Sequence, residues 1–155
     1  MFKNHIDISI KEAKNALKLG EIPIGAAIID PKTNEIITSN HNRTKLDNDP
    51  LAHAEILVIR EACRKLGISR LDGYDLYSSL EPCAMCAAAI SNARIKRLYF
   101  ATTDDKYGGV VSNVNYFETK ACHHKVEYYY GFQEEIVQDL LKEFFATKRE
   151  ERTGG

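Results

Sequence analysis

The spacing of hydrophobic positions changes several times along the chain, and each change marks a new element. Ile6, Ile10, Ala13 and Leu17 recur at helical intervals and predict an opening helix that stops at the capping residue Gly20. Residues 25–30 and 35–39 are rich in Ile and Ala and flank Pro31-Lys32-Thr33-Asn34, the pattern of a hairpin. A polar loop from Asn40 to Pro50 leads into a mostly apolar helix over about 52–66, closed by Gly67. Residues 76–79 and 97–102 then read as strands, 83–92 as a helix, 128–130 as extended, and 134–148 as a final amphipathic helix. Strands alternating with helices predict an α/β layered fold with helices on both faces of a mixed sheet.

No linker, low-complexity tract or repeat interrupts that order, so residues 1–155 are expected to form one domain. A chain of 155 residues with 44% hydrophobic content has enough apolar material for a substantial core. Its net charge of -1 gives no chain-wide attraction to nucleic acid, and any such surface must be a local patch. The N-terminal Met1-Phe2-Lys3-Asn4-His5-Ile6-Asp7 carries charge where a signal peptide needs an apolar core. The apolar stretches at 22–29 and 84–90 are too short to span a bilayer. Cysteines that include a Cys-x-x-Cys pair therefore read as reduced thiols in a cytoplasmic protein with no membrane segment.

The chemistry concentrates in His53-Ala54-Glu55 and Pro82-Cys83-Ala84-Met85-Cys86. His53, Cys83 and Cys86 offer three zinc ligands, and a catalytic zinc takes three protein ligands and leaves the fourth position to water. Two thiolates neutralise the dication, and Glu55 is placed to receive the proton that the water loses. Pro82 near the first position of a helix would put Cys83 and Cys86 on one face, where exposed N–H groups favour thiolate. Two plainer readings stand beside this one. The cysteines and His53 are also compatible with ordinary core positions, and Cys122, His123 or His124 with a fourth ligand that would close a structural site.

These motifs carry a resemblance, since His-x-Glu followed by Pro-Cys-x-x-Cys is the signature of zinc nucleobase deaminases. Together with Gly20-Glu21-Ile22-Pro23-Ile24-Gly25-Ala26, His41-Asn42-Arg43, Asp49-Pro50-Leu51-Ala52, Leu80-Glu81, Ala93-Arg94-Ile95-Lys96-Arg97 and Cys122-His123-His124-Lys125, the chain resembles the bacterial tRNA-specific adenosine deaminases of the cytidine deaminase superfamily. The resemblance implies a three-layer α/β/α sandwich around a mixed five-stranded sheet, a homodimer, and one Zn2+ per chain. It implies conversion of adenosine to inosine at the wobble position of a tRNA anticodon stem-loop. By the same resemblance His53, Cys83 and Cys86 hold zinc, Glu55 shuttles protons, Asn42 contacts the flipped base, and Asp104 and Lys106 face RNA.

The motif also occurs in deaminases of free guanine and cytosine, which is the competing function. Against it stands the tail Phe144-Phe145-Ala146-Thr147-Lys148-Arg149, similar to the RNA-contacting end of the tRNA enzymes. Phe145 is expected to stack on a base while Lys148 and Arg149 meet phosphates. The plainer expectation is that Leu140, Leu141, Phe144 and Phe145 pack the last helix onto the core. Arg94, Lys96, Arg97 and Lys106 are expected to join the tail in one basic patch. Ala101 and Tyr107-Gly108-Gly109 depart from the commonest form of the family.

Overall fold

The computed structural model describes residues 3–154, so Met1 and Phe2 of the N-terminal charge argument lie outside the described residues. In chain order the elements are α1 (Ile6–Lys18), β1 (Gly25–Asp30), β2 (Glu35–His41), α2 (Ala54–Leu66), β3 (Asp75–Leu80), α3 (Ala84–Asn92), β4 (Arg97–Thr102), a short 3-10 turn (Tyr116–Glu118), β5 (Glu127–Tyr130) and α4 (Glu134–Gly154). The expected helix ends hold at the glycines: α1 stops just before Gly20 and α2 is capped by Gly67, both at positive φ. Strand β2 runs two residues past Ser39 because Gly25 and Ala26 of β1 pair with His41 and Asn40. Helix α4 continues beyond Lys148, since Arg-Glu-Glu-Arg favours helix and Lys148 pairs with Glu151 one turn on.

The five strands form one mixed sheet in the order β2-β1-β3-β4-β5, with β1 antiparallel to both neighbours and β3, β4 and β5 parallel. Side chains alternate across it with the two-residue period of a strand. Ala26, Ile28, Leu76, Leu98 and Phe100 point to α2 and α3, where Ala54, Val58, Ala62, Ala87 and Ile90 complete one core. Ala27, Ile29, Tyr77, Tyr99 and Ala101 point the other way, to Ile6 and Ile10 of α1 and Val137 of α4. Burial on both faces explains why the central strands lack a polar alternation, and it gives the three-layer α/β/α sandwich expected from sequence.

This topology gathers five chain segments at one edge of the sheet. The carboxyl ends of β3, β4 and β5 lie side by side there, and the antiparallel β1 starts at the same edge while β2 finishes at it. In open α/β sheets the crevice beyond those strand ends is where ligands bind. No helix among the described residues is long and apolar enough to cross a membrane.

Candidate active site

Two helix entrances face each other across that crevice. The helices begin at Ala54 and Ala84 rather than at 52 and 83, so His53 and Cys83 are the capping residues, with extended backbone at φ -71, ψ 148 and φ -71, ψ 175. Their carbonyls already accept the first helical bonds, from Leu57 N and Ala87 N. Neither side chain caps its own helix, which leaves both free to point into the crevice. Pro82 consequently sits outside the helix, one residue before the cap, and its carbonyl accepts the Gly109 N–H at 2.8 Å.

The three expected ligands converge. His53 Nδ1 is 3.6 Å from Cys83 Sγ and 3.4 Å from Cys86 Sγ, and all three atoms lie within 4.8 Å of one another. Tetrahedral zinc with bonds of about 2.3 Å to sulfur and about 2.05 Å to nitrogen separates N from S by about 3.6 Å, so the donor set fits that ion. Among the described residues no other His, Cys, Asp or Glu joins the group. Cys122 Sγ instead donates to the His124 carbonyl at 3.2 Å, and the His124 ring meets the Ile95 carbonyl at 2.9 Å. A shell closed by those residues is not built.

Charge in the site follows from burial and from the sulfurs. A hydrogen bond from Cys86 draws the Cys83 thiol down to about 4, while the same bond and burial push Cys86 upward. The pair on its own thus favours one thiolate, and a dication between the sulfurs favours two. Burial raises the Glu55 carboxyl to about 7. A cation beside it draws that value down and leaves a carboxylate ready to accept a proton.

Above this cluster opens a pocket of about 510 Å³, floored by His53, Glu55 and Cys83 and walled by Ile22, Ile24, Leu80 and Met85. Asn42 lies in its wall almost fully buried, its backbone N–H held by the Ile24 carbonyl at 2.9 Å and its Nδ2 donating to Thr44 Oγ1 at 3.2 Å. Asp104 and Tyr107 form the rim. Lys106 does not line the pocket; it is exposed, with Nζ 5.2 Å from the Tyr107 ring centroid.

The tail residues divide between core and surface. Val137 and Phe144 are buried and Leu140 and Leu141 partly so, which meets the packing expectation, whereas Phe145 is 46% exposed and Arg149 lies on the outer surface. Phe144 and Phe145 diverge because successive helical residues point about 100° apart. Lys148 Nζ stands 5.4 Å from the Phe144 ring and pairs with Glu151, and Lys45 approaches the same ring at 6.0 Å. Lys45, Phe144, Phe145, Lys148 and Arg152 line one shallow depression, so the tail meets the loop that follows Asn42. The single basic patch is not formed. Arg97 starts β4 and pairs with Asp75 at 3.1 Å, about 17 Å of strand away from the end that leads to Asp104.

Two buried carboxylates outside the chemical cluster were not singled out by the sequence. Glu21 accepts the backbone N–H groups of Lys45 and Leu46, fixing the loop on one side of the pocket. Glu81 accepts those of Asp104, Val110, Val111 and Ser112 and the Ser112 hydroxyl, fixing the loop on the other. These bonds outweigh the effect of burial and hold the Glu81 carboxyl below the usual range. An acid between apolar residues in Leu80-Glu81-Pro82 was the only signal for it.

Known proteins resemble this chain in sequence and fold. The model of the MafB19-like deaminase family matches residues 3–149. The tRNA-specific adenosine deaminase of Rickettsia bellii is 45% identical over 92% of this chain and 98% of its own length. A solved tRNA:A34 deaminase, studied for A-to-I editing at the wobble position, is 47% identical, with a TM-score of 0.84 over 88% of this chain and 97% of that one. The guanine deaminase of Nitrosomonas europaea superposes with a TM-score of 0.80 over 91% of this chain and 82% of its own, but at 22% identity it shares the fold alone. With the ligand cluster, the buried glutamate and the pocket in place, these matches mean that the chain belongs to the MafB19-like deaminases and to the tRNA-specific adenosine deaminase family.

Proposed function

We propose that this chain is a zinc-dependent hydrolase that converts adenosine to inosine at the wobble position of a tRNA anticodon stem-loop. The observation that carries the reading is the convergence of His53 Nδ1, Cys83 Sγ and Cys86 Sγ beside a buried Glu55 at the floor of one pocket. The near full-length identity to tRNA-specific adenosine deaminases, against a fold-only likeness to guanine deaminase, favours RNA over a free base.

One zinc ion per chain, held by those three atoms, supplies the Lewis acidity that makes water nucleophilic near neutral pH. Glu55 takes one proton of the water and gives it to the purine ring nitrogen, then takes the second proton from the hydroxyl added to the ring carbon and passes it to the departing amine. Adenosine and water become inosine and ammonia. Asn42 orients the base from the pocket wall, and Ile22, Ile24 and Leu80 exclude solvent. The base has to leave its stack to reach this depth, so contacts elsewhere on the RNA supply the binding energy that holds it there. Asp104 at the rim, the exposed Lys106 beside it, and Phe145, Lys148 and Arg149 on α4 provide those contacts. Residues 1–155 act as one deaminase domain in a cytoplasmic homodimer, the state that the family resemblance implies.

The test is inosine formation on an adenosine-containing anticodon stem-loop, run beside free adenosine, guanine and cytosine. Conversion of the stem-loop with little turnover of the free compounds is expected. Efficient turnover of guanine or cytosine without any on the stem-loop overturns the assignment.

A further inference from the structure

We propose that Tyr107 is a stacking platform for a nucleobase next to the one that enters the pocket, an inference that rests on the tRNA reading above. Tyr107 stands on the pocket rim and is 65% exposed, the largest exposure among the large hydrophobic side chains of the described residues. Its hydroxyl makes no hydrogen bond among the described residues, and Lys106 Nζ stands 5.2 Å from the ring centroid. An aromatic face left in water beside a polar-rimmed cleft is unfavourable for the free protein and useful to a ligand that presents a flat π surface.

The backbone beneath the ring is held from both sides. Asp104 Oδ1 accepts the N–H groups of Lys106 at 3.1 Å and Tyr107 at 3.2 Å, and the Asp104 carbonyl accepts Gly108 N–H at 2.8 Å. Glu81 then anchors Asp104 at one end of the loop and Val110 to Ser112 at the other. Residue 108 is pressed so close to Glu81, and residue 109 to Ala84, that neither has room for a Cβ. Only the side-chain torsions of Tyr107 remain to be ordered, so stacking on it carries little entropic cost. A flipped nucleotide leaves each neighbouring base with one face uncovered, and a ring at the mouth of the pocket is placed to cover one of them. Every base has such a face, so the contact tightens RNA binding without demanding one sequence.

The experiment compares the parent with Tyr107→Ala and Tyr107→Phe on the intact stem-loop and on two loops, each abasic at one neighbour of the target adenosine. Tyr107→Ala is expected to raise KM by about five- to 150-fold with kcat within about twofold, at unchanged zinc content and Tm. Tyr107→Phe keeps the parent KM. On one of the abasic loops the difference between parent and Tyr107→Ala largely disappears. A parent-like KM for Tyr107→Ala, an equal loss in Tyr107→Phe, or an undiminished penalty on both abasic loops overturns the stacking role. Failure of the parent to form inosine on any of these loops overturns the tRNA reading itself, and this inference with it.

Discussion

Gly108 lies against the carboxylate of Glu81, so closely that a Cβ on residue 108 would overlap all three atoms of the carboxyl group. The contact locks the loop after β4 to the chain segment that delivers Cys83, because Gly108 also bridges to Cys83 and Gly109 N–H bonds to Pro82. The pocket rim and the proposed metal ligand are therefore built on one joint.

Breaking that joint should cost stability. Glu81→Ala leaves the buried Val110 N–H and its neighbours without an acceptor, a loss of about 1 to 3 kcal/mol in urea unfolding. Gly108→Ala displaces the same carboxylate and should lose a similar amount. The pH dependence has a definite sign. The Glu81 carboxyl is held below its ordinary value of 4.5, so its contribution is present above that pH and is lost as pH falls through the folded value. The unfolded chain binds more protons in that window, and parent stability should drop there more steeply than that of Glu81→Ala. Equal midpoints for parent and both variants across the acid range would remove Glu81 from the fold's support.

The metal site allows a sharper comparison. About one zinc per chain is expected by metal analysis. Cys83→Ala and Cys86→Ala should each abolish binding, whereas Cys122→Ala should keep the full content, since Cys122 is engaged with Ser91 and His124 away from the cluster. Loss of zinc from the Cys122 variant would restore the structural-site alternative.

Much of this site was legible in the chain because metal chemistry constrains residue types that are otherwise uncommon together. His53, Glu55, Cys83 and Cys86 announce themselves by type and spacing, and the apolar runs of β1, β3 and β4 announce strands buried on both faces. The clamps were not legible. Glu81 and Glu21 bind backbone N–H groups up to 31 residues away, and an amide carries no side-chain signature in sequence. The helix starts beside His53 and Cys83 were missed by two residues and one residue, because a helix boundary depends on backbone torsion more than on composition. Arg97 looked available for RNA until β3 placed Asp75 beside it.

Glu55 should separate ligand from catalyst. Glu55→Ala is expected to keep zinc and fold while losing roughly two to four orders of magnitude in deamination rate, the range for a positioned acid/base group. Metal content and rate would be read on one sample. A variant as fast as the parent would exclude the carboxylate from proton transfer.

The tail should reveal itself through salt. Ending the chain after Thr147 removes Lys148, Arg149 and Arg152 but keeps Val137, Leu140 and Leu141, which seat α4 on the core, and the buried Phe144. Zinc content and the unfolding midpoint should then change little. Stem-loop affinity should fall, and the slope of log affinity against log salt should become shallower by about one for each phosphate that is no longer neutralised. Phe145→Ala makes the useful contrast, since a 46% exposed ring that stacks on a base carries no charge. That variant should weaken binding by a similar amount at every salt concentration and leave the slope unchanged. A truncated chain that binds the stem-loop with the parent's affinity and slope would mean that α4 beyond Thr147 takes no part in holding RNA, and would shift the electrostatic contact to Lys45 and Lys106 near the pocket.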